Sequence, residues 1–575
     1  MRKLALALVL AGAFGVTRAA TAQEAAGNWL GTIEAGGARL RLAVHIAKGP
    51  GGALTGTMDS LDQGAVGIPL AAVTQAGDAL GFEVPKVGGR YDGRWEAAKG
   101  DWVGTWRQAA ALPLTLVRGE PPAAPVVTGL DGDWDGALKT GVVSLRLALH
   151  VKTDPRGTIA GLDSIDQGTN GIPVASIARD GQKISFKVNA VGGTFEGALS
   201  ADGASIAGTW TQGGPSLPLT LNRRAPGVPQ ARLERPQTPK PPFPYRQELV
   251  KFDSPGAGAQ LAGTLTLPPG KGPFPAVVLI SGSGPNGRNE TVMGHQIFLV
   301  LADHLTRSGL AVLRYDKRGV GQSGGDYLHA TTRDFALDAE AATAWLRARP
   351  EIDPLEVGLV GHSEGGLVAP LVAASDPRIA FMVLLAAPGL PGAKILDLQQ
   401  ALIARAMGAS EAKIVATQAV NQRLYAAVEG AKDGADAKAK ALAALGASAP
   451  AGAPADAQAI EATQLASDWF RVFLTYDPVP ALKQVKCPVL ALWGSKDLQV
   501  PPAQDLPPVR AALAADPQVT VEVLPGLNHL FQTADTGSPT EYATIEETMS
   551  PAALDEISAW IEKRVAARGA PTNAR

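Results

Sequence analysis

GLVGHSEGGLVAP, residues 358–370, is the stretch that decides the fold, because small and polar residues stand where one apolar run ends and the next begins. Its centre, Gly361-His362-Ser363-Glu364-Gly365, fits the pattern G-x-S-x-G between a predicted strand and a predicted helix. Such a turn holds the serine in a strained backbone conformation, and a bulky residue at either glycine would clash. The pattern also occurs in ordinary tight turns, so the role of Ser363 depends on the rest of the chain.

Two later residues supply the partners that a nucleophilic serine needs. A serine hydroxyl is a poor nucleophile at neutral pH and requires a base that is itself oriented by a carboxylate. Asp497 ends the run VLALWGSKD and His529 ends the run VTVEVLPGLNH, so both follow predicted strands. Taken singly, each could be an ordinary turn or loop residue. In the order serine, aspartate, histidine they predict a catalytic triad of Ser363, Asp497 and His529.

The negative oxygen that forms during attack on a carbonyl needs backbone N–H donors. The loop ISGSGPNGRNE, residues 280–290, follows the strand before the first predicted helix, and the N–H of Ser283 is its best-placed donor. The N–H of Glu364, at the start of the helix after Ser363, is the second donor. The alternative for the loop is a glycine-rich turn without a ligand. A phosphate-binding loop is not indicated, because the pattern GxxxxGK[ST] is absent.

The composition is that of a folded protein without a nucleic-acid partner. Of 575 residues, 46% are hydrophobic and 18% are charged, and the net charge of −2 comes without a basic stripe. The length predicts about three domains. Cys487 is the only cysteine, so no internal disulfide can form. We expect neither a metal nor an organic cofactor, because triad chemistry requires none; the sequence gives no indication of oligomeric state.

The N-terminal segment is typical of an export signal. Met1-Arg2-Lys3 is a cationic start, LALALVLAGAFGV is an apolar core, and Ala20-Thr21-Ala22 is a cleavage site of the A-x-A type. The apolar run is shorter than the roughly 20 residues of a membrane span, and no other segment is long and apolar enough. We therefore expect residues 1–22 to be removed and the mature protein to be periplasmic or secreted.

The first part of the chain contains an internal repeat. MDSLDQGAVGIPLAAV, residues 58–73, recurs as LDSIDQGTNGIPVASI, residues 162–177. Short runs that alternate polar and apolar residues are separated by glycine, aspartate and asparagine turns, which is typical of antiparallel strands. We predict two tandem all-β domains, each a small barrel or sandwich, over residues 23–120 and 128–224.

The rest of the chain has a different pattern. A proline-rich linker, residues 225–246, precedes a region in which apolar strands alternate with helical stretches. Nearly continuous apolar strands in such an alternation predict a parallel sheet that helices cover on both faces. This α/β region spans residues 247–575. Residues 390–485, which are rich in alanine and interrupt the alternation, are predicted to form a helical cap insertion.

Over a little more than half of its length, the chain resembles the α/β-hydrolases. The motifs that carry the resemblance are, in order, ISGSGPNGRNE, LRYDKRGVGQSGG, GHSEGG, LALWGSKDLQVP and GLNHLFQ, which are similar to those of bacterial serine esterases near the dienelactone hydrolase and prolyl oligopeptidase-like branch. The resemblance implies that Ser363 is the nucleophile, His529 the base and Asp497 the residue that orients it. It also implies an oxyanion hole made of the N–H groups of Ser283 and Glu364. It says nothing about the β domains.

Other polar residues are expected to have structural roles. In the hydrolase-like part they are Asp316, Arg318, Asp326, His295, His304 and His362. Of these, His295 is near enough in sequence to the oxyanion loop to line the site as an alternative. His45 and His150 lie at matched positions of the β domains, without the cysteine or carboxylate spacing that would favour a metal site.

The sequence therefore predicts an exported serine hydrolase that cleaves carboxylic esters, with a small-molecule ester as its substrate. One alternative is a serine peptidase with the same triad, although no group that would bind a peptide N-terminus or a P1 proline is recognisable. Another alternative is a binding protein whose tandem β domains attach to a glycan, an envelope polymer or a lipid. The natural acyl and alcohol groups do not follow from the pattern, because cap and loop shape set specificity.

Overall fold

The structure is a computed structural model that describes residues 24–569 except 36–37, 109–110, 122, 141–142, 156, 167–168, 213–215, 231–233, 449–454 and 516–517. The predicted signal peptide, residues 1–22, lies outside the described residues. The described residues fall into two compact units, one ending at Ala123 and the other beginning at Ala124. Among the helices in the described part of the chain, none is long and apolar enough to cross a membrane.

The two copies of the repeat form antiparallel sheets of one design, a meander whose last strand pairs back with its first. The strands of the first copy are β1 (Gly27–Ala35), β2 (Ala38–Lys48), β3 (Leu54–Ser60), β4 (Ala65–Pro69), β5 (Ala71–Ala76), β6 (Ala79–Val84), β7 (Gly89–Glu96), β8 (Asp101–Arg107) and β9 (Ala111–Arg118). Those of the second are β10 (Gly132–Thr140), β11 (Val143–Asp154), β12 (Gly157–Ser164), β13 (Thr169–Pro173), β14 (Ser176–Asp180), β15 (Lys183–Val188), β16 (Gly193–Leu199), β17 (Ser205–Gln212) and β18 (Ser216–Arg223). The strand orders match, β4-β3-β2-β1-β9-β8-β7-β6-β5 and β13-β12-β11-β10-β18-β17-β16-β15-β14. The predicted tandem all-β architecture is confirmed.

Alternating side chains form the cores of these sheets. In β15, Ile184, Phe186 and Val188 are buried while the residues between them are exposed, as expected when one face of an antiparallel sheet is covered. Trp29 and Trp134 occupy equivalent core positions, and each indole N–H donates to the carbonyl four residues earlier in its copy. A buried indole donor needs such a partner. The same internal bond in both copies shows that the repeat conserves its packing as well as its strand order.

A third sheet follows the linker. Its strands are β19 (Arg246–Ser254), β20 (Ala259–Leu267), β21 (Phe274–Ile280), β24 (Ala311–Tyr315), β25 (Ile352–His362), β26 (Met382–Leu385), β27 (Val489–Gly494) and β28 (Val519–Leu524), while β22 (Thr291–Val292) and β23 (His295–Gln296) pair with each other. The order is β19-β20-β24-β21-β25-β26-β27-β28. Strand β20 runs antiparallel to β19 and β24, and the pairs from β24 to β28 are parallel.

Helices cover this sheet on both faces. They are α1 (Ile297–Arg307), α2 (Thr332–Arg347), α3 (Gly365–Ser375), α4 (Gly392–Ala406), α5 (Glu411–Glu429), α6 (Gly434–Ser448), α7 (Ala455–Leu465), α8 (Asp468–Thr475), α9 (Val479–Leu482), α10 (Pro502–Ala512) and α11 (Pro551–Gly569). Val278 of β21 lies in one hydrophobic core with Ala339 of α2. The neighbouring Val277 lies in the other core, with Leu301 of α1 and Ile557 of α11. Successive side chains of a strand point to opposite faces, so a strand covered on both faces is apolar throughout. The predicted α/β-hydrolase fold class is confirmed.

The helical insertion lies between β26 and β27, which pair directly with each other. Helices α4 to α9 form it, and they have a core of their own that includes Leu424, Val428 and Leu445. The insertion also contacts a helix outside the cap, because Leu367 of α3 packs in one hydrophobic cluster with Phe473 of α8. The cap therefore rests on the helix that follows Ser363.

Asp505 of α10 anchors the chain where it leaves β26 for the cap. Its Oδ1 accepts hydrogen bonds from the N–H groups of Gly389 (2.8 Å) and Leu390 (3.2 Å). Its Oδ2 is buried without a hydrogen-bond partner among the described residues. Burial raises the pKa of Asp505 from its ordinary 3.8 to about 6.

We expect Asp505→Asn to change how the stability of the protein depends on pH. The folded-state pKa of Asp505 lies above the unfolded value, so the protonated carboxyl contributes stability at low pH. This contribution is lost as the pH rises from about 4 to about 6, because the buried carboxyl group becomes ionised. Asparagine keeps an acceptor for the Gly389 N–H but does not titrate. The melting temperature of the variant minus that of the wild type should therefore rise by about 2–4 °C between about pH 4 and about pH 7, measured by calorimetry.

Asp477→Asn is a suitable control, since Asp477 also accepts from a backbone N–H, that of Val479, but is exposed. The control accounts for the loss of one carboxylate from the chain. A melting-temperature difference for Asp505→Asn that is the same at both pH values would contradict the prediction.

Candidate active site

Ser363 lies at the carboxyl end of β25, in a turn that leads directly into α3. Its φ is 52°, in the left-handed region that non-glycine residues rarely adopt. The Ser363 N–H donates to the carbonyl of Leu385 in the neighbouring strand β26, at 2.9 Å. Such strain persists only where the surroundings fix the backbone, and it recurs at functional sites.

The two glycines of the motif are required by close backbone packing. A Cβ at Gly361 would lie 2.1 Å from the carbonyl oxygen of Gly365. A Cβ at Gly365 would lie 1.9 Å from the carbonyl oxygen of Ile280, at the end of β21. Atoms cannot approach so closely, so a side chain at either position would force β25, α3 and β21 apart. The sequence argument for small residues here has this physical basis.

The structure brings Asp497 and His529 together from the ends of β27 and β28. The distance from His529 Nδ1 to Asp497 Oδ2 is 2.8 Å, and both side chains are buried. Asp497 Oδ1 accepts hydrogen bonds from the N–H groups of Gln499 and Val500, both at 2.8 Å. Three hydrogen bonds thus fix the carboxylate. Bonding through Nδ1 makes Nε2 the imidazole nitrogen that is able to act on a serine.

Ser363 and His529 line one cavity of about 430 Å³. Its walls also include Ser283 and Glu364, so four of the five predicted site residues line the same space. Asp497 does not line it and contacts the site through His529. The remaining wall is mostly apolar, with contributions from the cap, and includes Val292, Met293, Pro388, Ile395, Leu396, Trp469, Phe473, Leu530 and Tyr542. The volume is in the range of small-molecule sites, which are commonly apolar with a few convergent polar groups.

The predicted oxyanion donors have free amides at this cavity. The N–H of Ser283 and the N–H of Glu364 make no hydrogen bond to any residue that the structure describes. A hydrogen bond fixes the backbone next to Ser283, since Gly282 N–H donates to Glu290 Oε1 at 2.5 Å. Glu364 stands at the N-terminal end of α3, where the helix dipole favours negative charge. Both amides are therefore available to a ligand with a negative oxygen.

His362 also lines the cavity, and both of its ring nitrogens contact neighbouring residues of the protein. Its Nδ1 lies 3.0 Å from Glu290 Oε1, and its Nε2 lies 3.1 Å from the backbone oxygen of His529. Burial lowers the pKa of His362, but the charge of Glu290 and its hydrogen bond outweigh this effect, and the net change is upward. A protonated ring donates from both nitrogens, so it links the Glu290 carboxylate to the backbone of His529.

Sequence analysis did not single out Lys317, Glu290 or Trp469, although all three contact residues of the site. Lys317 and Trp469 both bond to the side chain of Glu364, and Glu290 bonds to Gly282 and His362. The available signal was weak. Lys317 follows an apolar strand in a run of charged residues, and Glu290 ends a polar loop.

The other residues considered from the sequence lie in structural positions. Asp316 pairs with Arg288, Arg318 with Asp338, and Asp326 with His329. His295 is fully buried, contacts Tyr542 O and Thr548 Oγ1, and does not line the cavity; burial lowers its pKa to about 4. His45 bonds Asn28 and Asp59, and His150 bonds Asp133 and Asp163. Within the described ranges, no three histidine, cysteine or acidic side chains are grouped as for a metal ion.

We expect Gly365→Ala to destabilise the α/β region strongly, because the new methyl group would overlap the backbone of Ile280. Overpacking of a core costs about 1–3 kcal/mol, and contact with a backbone atom that cannot move should reach or exceed the upper value. The matched control is Gly446→Ala in α6, where an added Cβ meets only a side-chain oxygen of Gln458 at 3.7 Å. Alanine should raise helix stability there by up to about 1 kcal/mol. Equal melting temperatures for the two variants in calorimetry would contradict this account of the turn.

Part of the chain is similar in sequence to known hydrolases. Residues 257–506 match the family model for X-Pro dipeptidyl-peptidase (S15 family). Esterase EstD of Thermotoga maritima is 28% identical over 304 residues, which cover 53% of this chain and 66% of that esterase. The match thus spans just under two thirds of that relative. Putative hydrolase YtaP of Bacillus subtilis is 29% identical over 129 residues, covering 20% of this chain and 43% of the hydrolase.

Among solved structures, the Pyrococcus furiosus esterase Pf2001 is 15% identical with a TM-score of 0.34, over 56% of this chain and 90% of that chain. The residues that the family model matches, 257–506, include strands β20 to β27, the turn at Ser363 and the cap. The strand order of the third sheet is that of an α/β-hydrolase fold, and this part of the chain is similar in sequence to S15-family hydrolases and to an esterase.

Proposed function

We propose that the protein is an esterase that hydrolyses small carboxylic esters through Ser363, His529 and Asp497. The observation that carries the proposal is the meeting of a strained serine and a buried histidine–aspartate pair in one largely apolar cavity. A nucleophile, a base and an orienting acid at the ends of β25, β28 and β27 are the arrangement that acyl transfer requires.

In the acylation step, the Ser363 Oγ attacks the carbonyl carbon of the ester while His529 Nε2 takes the hydroxyl proton. Asp497 holds the Nδ1–H side of the ring and stabilises the imidazolium that forms. The carbonyl oxygen becomes an oxyanion and accepts hydrogen bonds from the N–H groups of Ser283 and Glu364. The intermediate then collapses, the bond to the alcohol oxygen breaks, and His529 gives its proton to the leaving alcohol.

Deacylation repeats the same steps with water. His529 removes a proton from a water molecule, whose oxygen attacks the acyl carbon bound to Ser363. The second tetrahedral oxyanion rests on the same amides, and its collapse releases the carboxylic acid and returns the proton to the serine. This chemistry draws on side chains and backbone amides of the chain alone.

The charges around the cavity favour an ester over a peptide with a free N-terminus. Glu290 and Glu364 are the acidic side chains that line the cavity in the described part of the chain. Glu290 pairs with His362, and Glu364 pairs with Lys317. Their charges are thus already compensated inside the protein, whereas a dipeptidyl substrate needs a carboxylate for its ammonium group.

A serine peptidase is the second candidate, because the matching family model describes an X-Pro dipeptidyl-peptidase. Its mechanism would use the same triad with an amine as the leaving group. The compensated carboxylates weigh against it. Comparing acyl esters with dipeptidyl anilides separates the two activities.

The proposal includes export, on the basis of the signal-like segment Met1–Ala22. An exported esterase meets extracellular or periplasmic esters rather than cytosolic thioesters. The β domains are proposed to support the hydrolase or to hold a glycan or envelope polymer near it.

We expect Ser363→Ala to lower kcat/KM for p-nitrophenyl butyrate by at least about 1000-fold, because no other side chain can form the acyl-enzyme. Asp497→Asn should lower it by at least about 100-fold, since the asparagine no longer stabilises the imidazolium. Release of p-nitrophenol from the purified full-length protein measures both. Ser375→Ala is the matched control: Ser375 stands at the other end of α3 and bonds Glu340.

The same assay with alanyl-prolyl-p-nitroanilide tests the second candidate. Turnover of the anilide that exceeds ester turnover and is lost in Ser363→Ala would replace the esterase by a peptidase. Inactivity of the wild type on every ester and anilide tried would remove the catalytic proposal altogether.

The linker connects the second β domain with the rim of the cavity. Gln230 donates to Asp163 of the β domain at 3.2 Å. Arg235 donates to the backbone oxygens of Met293 (3.0 Å) and Ile545 (2.6 Å). Met293 itself lines the cavity, so a linker residue fixes part of the substrate-binding wall.

We expect Arg235→Ala to raise the KM for p-nitrophenyl butyrate by about threefold or more with a smaller change in kcat. Each hydrogen bond that Arg235 loses removes about 1 kcal/mol of stabilisation from the cavity wall at Met293, while Ser363, Asp497 and His529 are unchanged. Lys240→Ala, which changes an exposed residue of the same linker, should leave both constants unchanged. A fall in kcat at constant KM would show that the linker acts on the catalytic groups instead.

A further inference from the structure

Lys317 is a buried cation beside the candidate active site that the esterase mechanism above does not use. It follows β24 and has an exposed fraction of only 4%. Its Nζ lies 4.2 Å from the ring centroid of Phe335. A buried ammonium group is costly unless it is paired and hydrogen-bonded. The partners of Lys317 therefore indicate what the residue is for.

The first partner is the carbonyl oxygen of Gly282, which accepts from Lys317 Nζ at 2.7 Å. The Gly282–Ser283 peptide is not among the cis bonds of the chain, so its C=O and the N–H of Ser283 point in opposite directions from one rigid plane. Holding the oxygen from behind fixes the rotation of that plane. The N–H of Ser283, one of the two proposed oxyanion donors, is thereby aimed towards the cavity that Ser283 lines.

The second partner is the carboxylate of Glu364, whose Oε2 lies 3.2 Å from Lys317 Nζ. Glu364 Oε1 accepts from Thr332 Oγ1 (2.8 Å) and from the indole N–H of Trp469 (2.6 Å). The side chain is therefore fully held, with an exposed fraction of 1%. Glu364 also carries the second proposed oxyanion donor on its backbone. One ammonium group thus bridges the peptide unit that carries the Ser283 N–H and the side chain of Glu364.

We propose that Lys317 is a positioning residue of the oxyanion hole. Its ammonium group locks the Gly282–Ser283 peptide plane and the Glu364 side chain in one arrangement, so both amides are oriented before the substrate arrives. Preorganised donors stabilise developing charge without reorganisation during the reaction. The positive charge behind the Gly282 carbonyl also polarises that peptide unit and makes the Ser283 N–H a stronger donor. The inference rests on the proposed function, because it concerns the oxyanion of ester hydrolysis.

Lys317→Met tests this role, because methionine keeps most of the stem and removes the charge. We expect kcat for p-nitrophenyl butyrate to fall by about 10–100-fold with KM within about twofold, since loss of one oxyanion donor costs about 100–1000-fold and here the donor is misaligned rather than removed. Lys440→Met is the matched control, because Lys440 Nζ also contacts a backbone carbonyl, that of Gly430 (2.8 Å), and a carboxylate, that of Asp436 (3.0 Å), but does not line the cavity. Its kcat should stay within about threefold of the wild type.

A second readout distinguishes positioning from general damage. Butylboronic acid forms a bond from boron to the serine oxygen and places a boron-bound oxygen in the oxyanion hole. Its inhibition constant should rise in Lys317→Met by about the same factor by which kcat/KM falls. A folded variant whose kcat and boronate affinity both match the wild type would overturn the role of Lys317.

The single variant leaves a buried carboxylate with reduced compensation, and this could prevent folding. The double variant Lys317→Met/Glu364→Gln removes both charges and should fold, because neutral replacement of a buried pair is usually tolerated. We expect the double variant to remain about 10–100-fold slow, since Gly282 still lacks its cation. Recovery of wild-type kcat in the double variant would show that Lys317 only balances charge. Absence of ester turnover in the wild type would contradict the proposed function instead, so the two failures are distinguishable.

Discussion

The strained turn at Ser363 is the constraint on which the rest of the α/β region depends. A φ of 52° is held from one side by the bond from Ser363 N–H to Leu385 of β26. On the other side, the absence of a side chain at Gly365 lets α3 pack directly against the backbone of Ile280 in β21. Both contacts exist only if β25 lies between β21 and β26, which is the observed order. Turn geometry and sheet topology thus require each other.

The features that could be predicted from the sequence are those that depend on local sequence pattern and on the geometry of parallel sheets. Ser363, Asp497 and His529 each follow a strand, and the carboxyl ends of parallel strands share one edge, so their proximity was predictable. The contacts of Lys317 and Trp469 were not, because they depend on packing. Trp469 bonds to Glu364 across 105 residues of sequence, and no periodicity specifies that the indole of a helical insertion will contact the residue after Ser363. The catalytic roles remain predictions.

Two buried ionisable pairs border the cavity, Lys317 with Glu364 and Glu290 with His362. Because charges in a low-dielectric interior interact strongly, each pair is held more rigidly than it would be in water. The two carboxylates that line the cavity are thereby compensated before a substrate enters. An uncharged ligand can enter such a cavity without leaving a buried charge unpaired.

The cap leaves the sheet after β26 and returns at β27, and these two strands are direct neighbours. With a core of its own and its two ends close together, the cap can be lengthened, shortened or exchanged without altering the pairing of the strands around Ser363. Cap residues line part of the cavity, so evolution can change the shape of the cavity while the sheet and the turn at Ser363 stay the same. The cap is in this sense a replaceable module on a fixed scaffold.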